Sequence, residues 1–237
     1  MGDLLASLAG AVDASGILTG DDIGPRYTDT RGHGPAGAPA CVMRPTSTAE
    51  VSAILKLCHD AGRTVVPQGG MTGLVGGGTP GDGDVVLSLE RMNAIEEIDP
   101  IGRTMIADAG VVLETAHGVA DDAGFVLPID LGARGSATLG GLISTNAGGN
   151  RVIRYGMTRQ SVLGLEAVLA DGTILTSMNR MLKNNAGYDL KQLFIGSEGT
   201  LGLVTRCVLR LQPKPLTTST AFVGIDDFQS VPAFLAL

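Results

Sequence analysis

Residues 66–78 read VPQGGMTGLVGGG, and six of the last ten residues in that stretch are glycine. The stretch leaves a short apolar run, Thr64 to Pro67, that reads as a strand. Glycine has no Cβ, so its backbone turns through positive φ and its amides close on an anion. Thr72 adds a hydroxyl donor. The loop has no Lys and lacks the GK[ST] ending of a nucleoside-triphosphate loop. Gly76, Gly78 and Gly81 fit GxGxxG, but Pro80, Asp82 and Asp84 follow and then a strand, where the dinucleotide fingerprint requires a helix. By composition alone the loop equally suits a long hairpin connection.

Upstream of the loop, ACVMRPTS (residues 40–47) reads as a strand ending at Pro45. Ser47 and Glu50 have capping-box spacing, Val51, Ile54, Leu55 and Cys58 recur at helical spacing, and Gly62 closes the helix. The loop therefore leaves a β-α-β unit. Downstream, Asp84–Leu89, Ile95–Asp99 and Thr104–Ala107 read as strands, and Val111–Ala123 as a helix stopped by Gly124. Asp171-Gly172 marks a hairpin between Val162–Ala170 and Thr173–Thr176, with positive φ expected at both turn positions. A helix around Asp189–Phe194 precedes a strand over Gly202–Leu211. This mixture of units predicts an α+β fold and not a doubly wound parallel sheet.

Two further glycine clusters follow the first. Pro128–Gly156 reads PIDLGARGSATLGGLISTNAGGNRVIRYG, where Ser136 and Thr138 stand ready to cap a helix starting LGGLIST, whose amides would favour a phosphate. Close helix packing through Gly140 and Gly141 explains the same residues. Lys183–Thr205 reads KNNAGYDLKQLFIGSEGTLGLVT, in which Gly196 and Gly199 flank Glu198; an αL helix stop is the plainer reading.

Composition narrows the function classes. The 237 residues hold 35 glycines, about twice the usual share of roughly 7%. The net charge of −7 argues against a nucleic-acid partner. No apolar run is long enough to span a bilayer, and the acid near the start of MGDLLASLAGAVDASG makes a poor signal peptide. Cys41, Cys58 and Cys207 form no CxxC pair and read as reduced thiols in a cytoplasm-like compartment. His33, His59 and His117 are isolated and read as surface or core groups. Gly196-Ser197-Glu198-Gly199 is not a serine-hydrolase elbow. Arg134, Arg151, Arg154 and Arg159 form a basic group in an acidic chain, suited to steering an anion or to ordinary solvated charge. Glu96-Glu97 and Asp121-Asp122 read as solvated faces. After Pro215, Thr217–Ile225 alternates like a new strand and FQSVPAFLAL ends on apolar residues, so the chain is expected to be a piece cut just inside a further domain.

The strings at 67–78, at 139–149 with Arg154-Tyr155-Gly156, and at 187–205 together resemble the FAD-binding domain of the vanillyl-alcohol oxidase / p-cresol methylhydroxylase (PCMH-type) superfamily. Within it they are most similar to the D-2-hydroxyacid dehydrogenase branch, over roughly Arg26 to Pro215. The resemblance implies two α+β subdomains with FAD between them: residues 1–38 as an N-terminal helix and loop, 39–125 and 126–215 as the subdomains, and 216–237 as the start of a cap domain. It implies that Pro67, Gln68, Gly69, Gly70, Met71, Thr72, Gly73 and Leu74 hold the pyrophosphate. Pro128, Asp130, Ser136, Thr138, Gly140, Gly141, Ser144, Asn146 and Gly148 would line the cofactor, with Gly199 and Val204 closing over it. Some relatives attach flavin through a His in the first loop; Met71 stands at that place, so non-covalent FAD is expected. The implied reaction oxidises a small D-2-hydroxy acid to a 2-oxo acid by hydride transfer to flavin N5. A quinone or electron-transfer flavoprotein would accept the electrons. The implied protein is a cytoplasmic enzyme, peripheral to the inner membrane at most, with a homodimer as its assembly. Substrate and metal groups of the family lie in the cap, so no catalytic set and no metal ligands are expected here.

Overall fold

The computed structural model describes residues 2–29, 32 and 34–236, so His33 lies outside the described residues. Two sheets carry the fold. The first is four-stranded, in the order β1 (Ile17–Leu18), β2 (Cys41–Met43), β4 (Val85–Ser88), β3 (Val65–Gln68). β2 and β3 both run parallel to β4, and β1 pairs antiparallel with β2. The crossover between β2 and β3 is α2 (Thr48–Asp60), which buries Val51, Ile54, Leu55 and Cys58 against the sheet and against α1 (Gly2–Ala9). Burying each such side chain contributes about 1.5–3 kcal/mol. The helix starts where the sequence predicts: Ser47 Oγ accepts from the Glu50 amide at 3.2 Å. The reciprocal arm is shifted, because the Glu50 carboxylate takes the Thr46 amide at 2.6 Å. Gly62, at φ +61°, closes the helix.

The second sheet is antiparallel, in the order β5 (Ile95–Asp99), β6 (Thr104–Asp108), β10 (Leu203–Arg210), β8 (Val162–Val168), β9 (Ile174–Ser177). One face packs on α3 (Leu113–Asp122) and α4 (Leu139–Ser144), through Leu113, Ala116, Leu139, Leu142 and Ile143 against Met105, Leu165 and Cys207. The other face meets α2. There the buried Glu166 carboxylate accepts from Thr48 Oγ1 at 2.7 Å and Thr176 Oγ1 at 2.9 Å, with Arg206 3.6 Å away. A buried carboxylate persists only with such partners. Thr48 Oγ1, which also lies 3.0 Å from Thr205 Oγ1, thereby joins the first turn of α2 to the second sheet.

Several expectations change. β5, β6 and α3 fall within 39–125, yet β5 pairs with β6 and β6 with β10 of the second sheet. Only Gly172 of the Asp171-Gly172 turn has positive φ, because Gly172 N donates to Leu169 O and Leu169 N to Thr173 O, a three-residue turn ending in a glycine bulge. Thr217–Ile225 forms no strand: it is exposed, and alternation without a neighbouring edge secures no ladder. The strand β7 (Phe125–Val126), paired with β11 (Gln212–Pro213), and the short helices α5 (Val152–Tyr155), α6 (Thr158–Ser161) and α7 (Lys191–Phe194) complete the body, followed by α8 (Val231–Leu235). No helix among the described residues is long and apolar enough to cross a membrane.

Candidate functional site

The three glycine clusters converge on α4. Gly69 and Gly70 leave β3 and lie directly against residues 136–141. A Cβ built on Gly69 would stand 2.5 Å from Thr138 Oγ1, and one on Gly70 would overlap the Ser136 carbonyl. The third cluster docks on the other end of the helix: Gly196 N donates to Ile143 O at 3.1 Å and Glu198 N to Ser144 O at 2.8 Å. Gly199, at φ +79°, faces Pro67, where a Cβ would come within 2.9 Å of the ring. Of the four described non-glycine residues with positive φ, three are Met71, Asn146 and Glu198, one in each cluster. Such conformations cost about 1–3 kcal/mol each and concentrate where a ligand site is built.

A cleft of about 670 Å³ opens between these parts. Gly69, Gly70, Met71, Ser136 and Thr138, all named above as expected cofactor residues, line it. Among the described residues the amides of Gly69, Gly70 and Gly141 donate to no other group, which leaves them for an anion. The helix terminus itself is less available than expected. Thr138 occupies the N-cap position without a side-chain cap, while Leu139 N and Gly140 N donate to Val111 O and Ala109 O at 2.9 and 2.7 Å. Gly140 serves packing, since a Cβ there would meet Ala109 Cβ at 2.7 Å. The cradle is therefore the seam between loop and helix, not the helix dipole.

The remaining expected residues fall in three places. Thr72, Gly73 and Leu74 form the outer loop, with Leu74 75% exposed. Gln68 is buried and donates to Tyr27 O and Gly78 O, both at 2.8 Å, stapling the two ends of the loop. Pro67 and Ser144 sit at the docking points of the third cluster. Asn146 Oδ1 accepts from Arg159 N at 3.0 Å. Gly148 packs near Met157 and Val152. Pro128 is buried, and Asp130 pairs with Arg134 at 3.1 Å and Arg151 at 3.3 Å. Val204 lies within β10, opposite Ala167 and 2% exposed, as part of the core.

Sequence reasoning missed the opposite wall of the cleft: Arg26, Asp29, Glu90, Asn93, Gly110, Val112 and Thr115. Gly110 carried a readable signal, a glycine at a strand-to-helix junction, where a Cβ would overlap the Leu89 carbonyl. Arg26 and Glu90 carried none. Glu90 accepts from Tyr27 Oη at 2.6 Å and pairs with Arg26 and, at 3.6 Å, Arg44. Burial, then the Glu90 bond, raises the Tyr27 phenol, which stays a donor. The basic group is also reassigned: Arg134 and Arg151 share the one Asp130 carboxylate, and Arg154 lies over the Tyr155 ring at 5.1 Å. Glu96, Glu97 and Asp121 are not merely solvated, for they pair with Arg206, Arg180 and Lys214 at 2.6, 2.6 and 2.5 Å. His117 Nε2 contacts Ile129 O at 2.7 Å, a structural bond. Among the described residues no group of three His, Cys, Asp or Glu side chains could hold a metal ion.

Comparison with known proteins identifies the cofactor. The profile of the FAD binding domain matches residues 39–177, more than half of the chain. The chain belongs to the FAD binding domain family. Its cofactor is FAD, and the backbone cradle with its free amides fits a pyrophosphate-bearing ligand. Among curated relatives, the mitochondrial D-2-hydroxyglutarate dehydrogenase of Bos taurus is 48% identical over 195 residues, 82% of this chain and 36% of that one. The probable mitochondrial D-2-hydroxyglutarate dehydrogenase of Oryza sativa subsp. japonica is 48% identical over 199 residues, 84% and 36% of the two chains. The chain thus spans little more than a third of the length of these relatives. Among solved structures, an alkyldihydroxyacetonephosphate synthase superposes with TM-score 0.81 at 23% identity, covering 92% of this chain and 41% of its own. The 4-ethylphenol oxidase of Gulosibacter chungangensis gives 0.75 at 22%, covering 91% and 43%. Both share the PCMH-type α+β fold. The cytoplasmic expectation is corrected by the relatives, which are named mitochondrial. All three cysteines are free and buried, and burial pushes their thiols up to about 11 or 12. Such inert thiols report burial and not an organelle.

Proposed function

We propose that this chain is the FAD-binding portion of a dehydrogenase that oxidises a D-2-hydroxy acid, of the D-2-hydroxyglutarate or D-lactate class, to the 2-oxo acid. The observation that carries the cofactor half is the seam at Gly69 and Gly70 against Ser136 and Thr138, with unengaged amides along it. The observation that carries the substrate half is 48% identity to enzymes named for that reaction. In this reading Gly69, Gly70 and Gly141 hold the pyrophosphate, and Met71, Ser136 and Thr138 orient the cofactor beside it. Bound FAD supplies the two-electron acceptor for the hydride leaving the α-carbon. Met71 packs its sulfur against Gly78 and offers no nucleophile, so attachment is non-covalent. A quinone or an electron-transfer flavoprotein reoxidises the cofactor, and the chain pairs as a homodimer.

The chain spans little more than a third of the length of those relatives, which favours a second outcome: a module that holds FAD without turnover. Anaerobic mixing of the FAD-loaded chain with D-2-hydroxyglutarate and D-lactate tests both. Bleaching of the visible flavin band by a D- but not an L-enantiomer supports the dehydrogenase. An unbleached band supports the module, and a protein that retains no FAD overturns both. Acid precipitation tests the attachment, with flavin expected in the supernatant.

A further inference from the structure

Arg159 belongs to none of the three clusters, yet it bonds to two of them. Its backbone amide donates to Asn146 Oδ1 at 3.0 Å, which holds a residue at φ +47°. Its Nη1 donates to Gln192 O at 2.9 Å and Gln192 Oε1 at 2.6 Å, and its Nη2 donates to Ile195 O. These oxygens lie in and just beyond α7, immediately before Gly196. A Cβ on Gly196 would lie 3.4 Å from Arg159 Nη2 and 3.5 Å from Asn146 Cβ, so the three residues form one packed unit. The neighbouring Thr158 ties the same turn down, donating from Oγ1 to Ala147 O at 2.7 Å. The Ile143 carbonyl then receives both Asn146 N and Gly196 N, at 3.0 and 3.1 Å.

Among the described residues no carboxylate lies within ion-pair distance of Arg159, unlike Arg134 and Arg151 beside it in sequence. A guanidinium suits this place because its planar fork reaches several oxygens at fixed angles, which a lysine ammonium cannot do. The oxygens it bonds are all neutral.

We propose that Arg159 is a positioning residue for the FAD seat, a clamp that fixes the Asn146 turn and the Gly196–Gly199 loop against the C-terminal end of α4. It acts through those loops and does not touch the cofactor. Pulled from Arg159, the third cluster loses its register on Ile143 and Ser144, and with it the contact of Gly199 on Pro67 at the base of the first loop. The inference rests on FAD being the ligand of the cleft.

The test compares FAD dissociation constants, bound-flavin circular dichroism and the melting temperature of the apoprotein in wild type, Arg159→Ala, Arg159→Lys and Ile54→Ala. Ile54 is a buried α2 residue away from the seat, so its variant reports a loss of stability alone. Arg159→Ala is expected to weaken FAD binding about 30-fold or more, as three charge-assisted bonds disappear. Arg159→Lys is expected to recover less than half of that loss on a logarithmic scale, because the fork and not the charge is required. Both should alter the flavin dichroism, and Ile54→Ala should not. Should Arg159→Ala fail to fold, Arg159→Lys decides alone. Wild-type affinity in either folded Arg159 variant overturns the inference, as does an affinity loss matched by Ile54→Ala at equal destabilisation. A wild-type chain that binds no FAD instead overturns the cofactor reading beneath it.

Discussion

The base and the tip of the first glycine loop have the same composition and opposite surroundings. At the base, Gly69 and Gly70 abut Thr138 and Ser136 of a segment almost 70 residues away, and neither has room for a methyl group. At the tip, a methyl group on Gly73 would meet no heavy atom within 4 Å, and Leu74 beside it is exposed. Glycine is thus required at the base by close approach of backbone, whereas at the tip it only loosens the chain. A glycine run announces a loop, and the contacts of two residues within it make the site.

Gly70→Ala set against Gly73→Ala puts this contrast under the greatest strain. A methyl group overlapping the Ser136 carbonyl must move one cluster away from the other, and overpacking of this kind costs about 1–3 kcal/mol or more. FAD affinity of Gly70→Ala should fall about 100-fold, while Gly73→Ala stays within about threefold of wild type. Flavin fluorescence titration reads both. Next comes Gly140→Ala, which presses on Ala109 across the other side of the seam. It should destabilise the protein by about 1–3 kcal/mol in denaturant unfolding and weaken FAD binding in proportion to the displacement of α4.

Far from the seam the effects should uncouple from the cofactor. Ser47→Ala removes the α2 cap and should cost about 1 kcal/mol of stability while leaving FAD affinity unchanged. The smallest effect is a pH dependence. The Arg206 guanidinium holds the Glu96 carboxyl below its ordinary value of 4.5. Its folded pKa is depressed, so the stabilisation is present above pH 4.5 and is lost as pH falls through the folded value. Burial raises the neighbouring Asp108 and acts in the opposite sense. Glu96→Gln, which leaves Arg206 beside Glu166, should flatten the acid limb of a melting-temperature profile by no more than about 1 kcal/mol equivalent, as partly exposed pairs do.

Three strands of the first sheet were legible in the sequence because their signals are local, whereas β1 (Ile17–Leu18) fell in a stretch read as helix and loop. A capped helix, a Gly62 stop and apolar strands reach their structure through near neighbours. The clusters were legible as chemistry but not as geometry. Nothing near Gly140 in the chain says that Ala109 and Val111 take the first amides of α4, since those partners come from another element. The wall at Arg26 and Glu90 was invisible for the same reason: ion pairs of 64 residues' separation have no sequence spacing to read. Thr217–Ile225 failed in the other direction, with a strand pattern and no edge to pair it.

The proposed seat of the FAD pyrophosphate is the loop–helix seam. An equilibrium titration of the 237-residue wild-type chain with FAD and, separately, with FMN, which lacks the pyrophosphate-linked adenosine, interrogates that seat without any substitution. The expected result is saturable quenching at one FAD per chain, with FMN at least about tenfold weaker. Absent FAD binding, or FMN bound equally well, would contradict it.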